Sequence, residues 1–332
     1  MMPFKPSDAI EMQDALSRYW AGGEGARFMR GWTNARAATG ASTHGVSPDH
    51  RRLMEHTIMV TGTTYWVQRD MVALIEHAAR SMPEQTLLAT DLPARRGFAL
   101  LESPVLIADV HGKVCNVSAY SWAVLPNTDA PDGGVLISIY SDTHDERDQY
   151  HKGNGAVGYP VRLVLLSENA FRFGEHITDQ SFDSSESGGI DNINVGEGLT
   201  MNCAGMGADT MRAFVAMPKT LWTLLGQRLT QADHVAPERA ARRRLEKAGS
   251  PLADKRIVTV KLRLAAPHAA DGDQDAEHAR RDWTHRWIVS GHWRNQWHPS
   301  IRQHRVQWIS PYTKGPDDKP LVLRRKVYKL ER

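Results

Sequence analysis

The sequence predicts an α+β protein. It has a central antiparallel sheet with flanking helices, and a basic, tryptophan-rich C-terminal β-hairpin or small sheet. Three observations lead there. The runs FALLESPVLIADV, KVCNVSAYSWAVL and GGVLISIYS follow one another with turn-forming residues between them, the pattern of an antiparallel meander. Stretches with apolar residues at helical spacing stand before and after that block. From Trp283 onward, aromatic residues alternate with arginines and histidines at a period of two.

The elements follow in order. Lys5 to Trp20 carries Ile10, Met12, Leu16 and Tyr19 at helical spacing, with Ser7 as an N-cap, and Gly22, Gly23 and Gly25 end it. Residues 35–47 are rich in Ala, Gly, Ser and Thr and read as loop. Asp49 to Met59 reads as helix. So does Thr63 to Met82, where Trp66, Val67, Met71, Leu74, Ile75 and Ala78 form one stripe. Turns are expected at Ser103-Pro104, His111-Gly112 and Pro131 to Gly134, and PVRLVLLSE extends the sheet. Asp179 to Thr200 is polar and rich in Gly and Ser, and reads as a long loop. Asp209 can cap a helix that breaks at Pro218 and resumes through KTLWTLLGQRL. APERAARRRLEKAG is a basic helix ending at Gly249. KRIVTVKLRL alternates as a half-buried strand, with Val258, Val260, Leu262 and Leu264 on one face. Residues 266–280 read as a connector.

Two regions are expected: residues 1–205 as a body of helix plus sheet, and residues 206–332 as a helical pair with a basic C-terminal sheet. They are expected to pack as one continuous unit, because KRIVTVKLRL needs sheet partners and the tail is a natural neighbour.

Composition narrows the function. The chain has 332 residues, 41% of them hydrophobic and 24% charged, as in an ordinary globular protein. No apolar run approaches the roughly 20 residues that span a bilayer. The opening MMPFKPSDAIEMQDAL has no apolar core of the export kind. Cys115 and Cys203 are the two cysteines, far apart, which fits a reducing cytoplasm. Neither a CxxC nor an HxxxH pair occurs, which leaves zinc poorly supported, and the expectation is no metal and no cofactor. Net charge is +3, yet Trp283 to Arg332 holds eleven Lys/Arg against three Asp/Glu. A basic terminal module on a mildly acidic remainder suggests an anionic partner.

The tail, GHWRNQWHPSIRQHRVQWISPYTKGP, holds the candidate residues. Folded as a hairpin turning near His298-Pro299-Ser300, it gives one aromatic and one cationic face. The tryptophans would pack against the body and the arginines would point away. Arg286, Arg294, Arg302, Arg305 and Lys314 are candidates for nucleic-acid contact, since cations neutralise phosphate while Trp or His can stack on exposed bases. His292 could face His304 across the hairpin and act as acid and base. Hydrogen-bonded structural histidines are the plainer reading. In HDERDQYH, residues 144–151, Asp145, Glu146 and Asp148 join Asp142 as hard oxygen ligands, although the spacing reads first as a charged surface loop. Gly153-Asn154-Gly155 precedes a strand and makes a poor phosphate loop, and the arginines of the basic helix read as a solvated face.

His292-Trp293-Arg294, then Trp308-Ile309, Pro311 and Lys314-Gly315-Pro316, resembles the C-terminal signature of a diffuse family carried by phages, plasmids and actinobacterial mobile elements. That family looks related to the type V anti-CRISPR protein that lowers the mRNA of its target nuclease. The signature covers roughly 50 residues. Phe214-Val215-Ala216 through Trp222, the Arg-rich helix and the KRIVTVKLRL strand match the same layout. The resemblance implies a cytoplasmic binding protein whose partners are a nascent polypeptide, with ribosome or mRNA nearby, and no membrane. The signature positions are His292, Trp293, Arg294, Trp308, Pro311, Lys314 and Gly315. The leading expectation is a mobile-element regulator that binds a nascent polypeptide and lowers its mRNA. The alternatives are a ribonuclease or nuclease using His292 and His304, and a nucleic-acid-binding phage repressor.

Overall fold

The computed structural model describes residues 3–38, 47–82, 87–108, 114–125, 133–149, 161–174, 193–196, 199–201, 208–263, 285–300, 302–316 and 319–320. The chain divides into two compact units, Met1–Leu262 and Arg263–Arg332. The architecture is α+β, with helices on a central sheet and two-stranded pieces in the C-terminal unit.

The first unit opens with α1 (Pro6–Ala21), α2 (Gly23–Ala38) and α3 (Pro48–Thr61). The backbone N–H of Lys5 donates to Asp8 Oδ2 at the start of α1, and Ser47 caps α3 by accepting from the His50 N–H. Strand β1 (Thr63–Val67) leads through α4 (Arg69–Ala79) and a short turn of 3-10 helix to β2 (Arg96–Ala108). Strands β3 (Val114–Leu125), β4 (Gly134–Asp142) and β5 (Leu163–Arg172) complete the meander. A small hairpin of β6 (Ile193–Gly196) and β7 (Leu199–Met201) precedes α5 (Ala208–Leu225). Then come β8 (Thr230–Val235), α6 (Arg239–Lys247) and β9 (Ile257–Leu262).

Seven strands form one sheet in the order β5-β4-β3-β2-β1-β9-β8. From β2 to β5 the pairing is antiparallel, as the meander pattern predicts. β1 departs from it and runs parallel to both β2 and β9. Between β1 and β2 the α4 crossover supplies the long connection that parallel neighbours need. α1 and α3 lie on one face of the sheet and α4 on the other, joined there by α5. On the first face Trp66 Nε1 donates to the Phe4 carbonyl at 3.0 Å, and Gln13 Nε2 donates to the Met59 and Gly62 carbonyls. On the second face Trp122 meets Tyr65 and Trp222, each with ring centroids 5.4 Å away. Covering both faces explains why β4 is buried along its whole length.

Several expectations need correction. Thr63 to Met82 is strand, break and helix rather than one helix, because TTYWV is β-branched and aromatic and pairs on both sides. The glycines end α1, but a second helix begins at once at Gly23 and enters the expected loop over 35–47. Ser103-Pro104 is a bulge within β2, where the register with β3 shifts between Leu100 and Val105. Pro218 lies inside α5, whose continuation is held by buried Leu221, Trp222 and Leu224. β9 is buried on both faces, Thr259 included, and takes β1 and β8 as neighbours rather than the tail. Of the loop Asp179 to Thr200, residues 179–192 and 197–198 lie outside the described residues, as does the connector 266–280; Ile193–Gly196 and Leu199–Met201 are the paired strands β6 and β7.

The second unit contains β10 (Trp287–Val289), β11 (His292–His298), β12 (Gln303–Ile309) and β13 (Tyr312–Lys314). β11 pairs antiparallel with β12, and β10 with β13. No helix among the described residues is long and apolar enough to cross a membrane.

Candidate functional site

The β11–β12 hairpin sorts its residues by the two-residue period. Trp293 pairs with Trp308, Asn295 with Val306, and Trp297 with His304, so these six share one face. Arg294 pairs with Gln307 and Gln296 with Arg305, which puts both arginines on the opposite face with His292 and His298. The expected aromatic and cationic faces are both present. Trp293 and Trp308 meet edge to face at 5.2 Å, the geometry that the ring quadrupoles favour. Trp308 is buried beside Gly291 and Pro311, Trp293 is half-buried, and Trp297 at the turn end is 45% exposed. Packing of the indoles therefore weakens toward the turn.

The candidate cations differ. Arg294, Arg302, Arg305 and Lys314 are exposed. Arg286 is half-buried, with its Nε donating to the Lys319 carbonyl at 2.9 Å and its N–H to that of Pro320 at 2.8 Å. Its guanidinium thus ties the tail together. Gly315 has φ 113°, a conformation that needs glycine. Among the signature positions Trp308 and Gly315 have an evident structural part, while His292, Arg294, Pro311 and Lys314 are exposed.

His292 does not face His304. His292 pairs with Ile309, and His304 with Trp297. Five register steps set the two about 17 Å apart along the strands, on opposite faces, so they cannot work on one phosphate as acid and base. His292 Nδ1 lies 3.0 Å from the Ser290 carbonyl.

The HDER segment is surface turn in part, with His144, Glu146 and Arg147 exposed, but its aspartates turn inward. Asp142, Asp145 and Asp148 are buried. Asp148 Oδ2 accepts from the Asn116 N–H at 3.0 Å, Asn116 Nδ2 at 2.7 Å and Ser141 Oγ at 2.7 Å. Arg162 holds Asp142 through two hydrogen bonds, and Arg147 holds Asp145 in the same way. The Arg147 hydrogen bond draws the Asp145 carboxyl below its ordinary range. Carboxylates so fully engaged have little left for a metal, and no group of three His, Cys, Asp or Glu among the described residues could hold one.

A second site, in the first unit, was not read from the sequence. A groove of about 440 Å³ opens between α3 and strands β3 to β5. Leu53, Met54, Leu125 and Leu136 line it, and Arg51 and Glu168 lie at its floor. Both charges are buried and joined at 2.9 Å, with Arg51 also over the Trp32 ring at 5.9 Å. One turn along α3, Glu55 is fully buried against the sheet. Tyr140 and Ser138 donate to it, and Ser121 Oγ lies 3.4 Å away. Burial pushes the Glu55 carboxyl up to about 7, helped by the Glu168 charge and opposed by the three hydroxyls. Burial also raises the Tyr140 phenol well above its ordinary value. Two signals in the sequence pointed here: Glu55 amid the apolar residues of α3, and Glu168 ending the run LVLLSE.

No family model matches the chain, and no curated protein does. Among solved structures the chain is similar to the crystal structure of AcrVA2, at 14% identity and a TM-score of 0.39, over 91% of this chain and 97% of that one. The likeness is weak and assigns no residue a role.

Proposed function

We propose that the chain is an anti-CRISPR-like regulator of a mobile element, which binds a nascent polypeptide and lowers the mRNA that encodes it. It acts as an adaptor rather than as an enzyme. The observation that carries this reading is the two-faced tail hairpin, with Arg294 and Arg305 exposed on one side and an exposed indole on the other. Such a surface suits RNA, where cations take phosphate and aromatics take bases. The signature resemblance of the tail supports the same class.

The α3 groove supports the peptide half of the reading. It lies beside β5, which among the described residues ends the sheet. An extended segment can add a strand at such an edge while its side chains enter an adjoining apolar groove. The Arg96 side chain at the rim favours a peptide with an acidic residue near its apolar part.

Sedimentation of lysates that express the tagged chain tests the reading. The chain is expected to travel with translating ribosomes and to leave them after RNase treatment. Sedimentation away from ribosomes under all conditions would remove the main support.

A further inference from the structure

Three observations converge on the tip of the β11–β12 hairpin. Trp297 is 45% exposed although it belongs to the aromatic face, and the indole core of the hairpin is complete without it, in Trp293 and Trp308. His304 meets Trp297 at 5.0 Å with the rings inclined by 55°, steadying the indole from one side. The third is backbone geometry. Among the described residues Arg302 is the one non-glycine residue with positive φ, at 51°. It closes the turn with its N–H 3.3 Å from the Pro299 carbonyl. Glycine or asparagine holds that conformation with less strain, so the side chain is present at the expense of the turn.

We propose that this tip is a binding site for an unpaired base of single-stranded nucleic acid, with Trp297 stacking on the base and Arg302 taking the neighbouring phosphate. The inference rests on the reading that the tail contacts nucleic acid, and it names the part of the tail and the class of strand. A duplex hides its base faces in the stack, and its A-form major groove is too deep and narrow for side chains, so an exposed indole at a hairpin tip gains little from it. A single strand offers both base face and phosphate within one nucleotide. Arg294 and Arg305 on the opposite face then add charge without contributing to base contact.

Fluorescence anisotropy of the full chain with labelled oligouridylate, oligothymidylate and an RNA duplex, across a salt series, tests this. Single strands are expected to bind, and Trp297→Ala to weaken them roughly tenfold. Trp297→Phe keeps a stacking face and should stay close to the parent. Arg302→Gly should weaken binding, reduce the salt slope by about 0.7, and leave the thermal midpoint unchanged or raised. Duplex binding should not respond to Trp297→Ala. Preference for oligouridylate identifies RNA as the source of the base, and equal binding of oligothymidylate supports the same site with either strand. If Trp297→Ala and Arg302→Gly bind single strands as the parent does, while Arg294→Glu with Arg305→Glu abolishes binding, the tip proposal is overturned and RNA contact by the tail survives. If no strand binds at all, the tail reading itself fails. A Trp297-dependent preference for an acidic peptide over every strand overturns the proposal in favour of a protein partner.

Discussion

Tyr140 donates its phenolic hydrogen bond to Glu55 across the space between the sheet and α3. The contact joins a helix near the start of the chain to β4, the strand beside the edge strand β5, 85 residues later, and its carboxyl has no solvent around it.

A pH dependence of stability follows. The Glu55 carboxyl titrates at about 7 when folded, against an ordinary 4.5. The fold disfavours its ionised form, so the stability gained by keeping it neutral is present below pH 4.5 and is lost as pH rises through 7. The loss is about 3 kcal/mol. Urea denaturation of the parent and of Glu55→Gln at pH 5 and pH 8 measures it. The variant should overtake the parent at pH 8, and the gap between them should shrink at pH 5.

The Arg51–Glu168 pair should be costly to halve. Arg51→Met or Glu168→Gln leaves one buried charge or its partner group unmatched, at about 3–5 kcal/mol. Arg51→Met with Glu168→Leu should recover much of that, because the apolar groove accepts both side chains. Glu168→Gln also removes the second cause of the raised Glu55 value, so the pH midpoint of stability should move down.

Gly97 sits directly under the Trp122 ring, where a Cβ would collide with the indole. Trp122 cannot retreat, being held between Tyr65 and Trp222 with its Nε1 donating to the Ala94 carbonyl at 2.9 Å. Gly97→Ala should cost about 1–3 kcal/mol and alter the near-ultraviolet circular dichroism of the indoles.

Gly315 offers a check confined to the tail. At φ 113° an added Cβ would also lie 2.7 Å from the His285 carbonyl oxygen. Gly315→Ala should cost roughly 1–3 kcal/mol locally. Amide exchange should quicken in β10 and β13 while β11 and β12 keep their protection.

The hairpin was legible in the sequence because a two-residue period sorts Trp and Arg whatever the exact turn. Its register was not. A turn centred on His298 would have set His292 opposite His304, but the turn runs from Pro299 to Arg302 and moves the pairing on. The meander β2–β5 was legible from its apolar runs and turn residues. β1 was hidden because TTYWV runs into RDMVALIEHA after a single residue, and counting apolar positions swept through both. Glu55 and Glu168 stood out as charges in apolar runs, but the groove and the cluster around Glu55 could not be assembled from the sequence. Ser121 and Ser138 lie 66 and 83 residues beyond Glu55, and only the sheet brings them beneath α3.

The most direct test of the central claim is crosslinking in the expressing cell, followed by sequencing of the RNA and of the peptides bound to the tagged chain. A cotranslational adaptor predicts enrichment of one mRNA together with the N-terminal peptide that it encodes. RNA without its peptide, or neither, would contradict the claim.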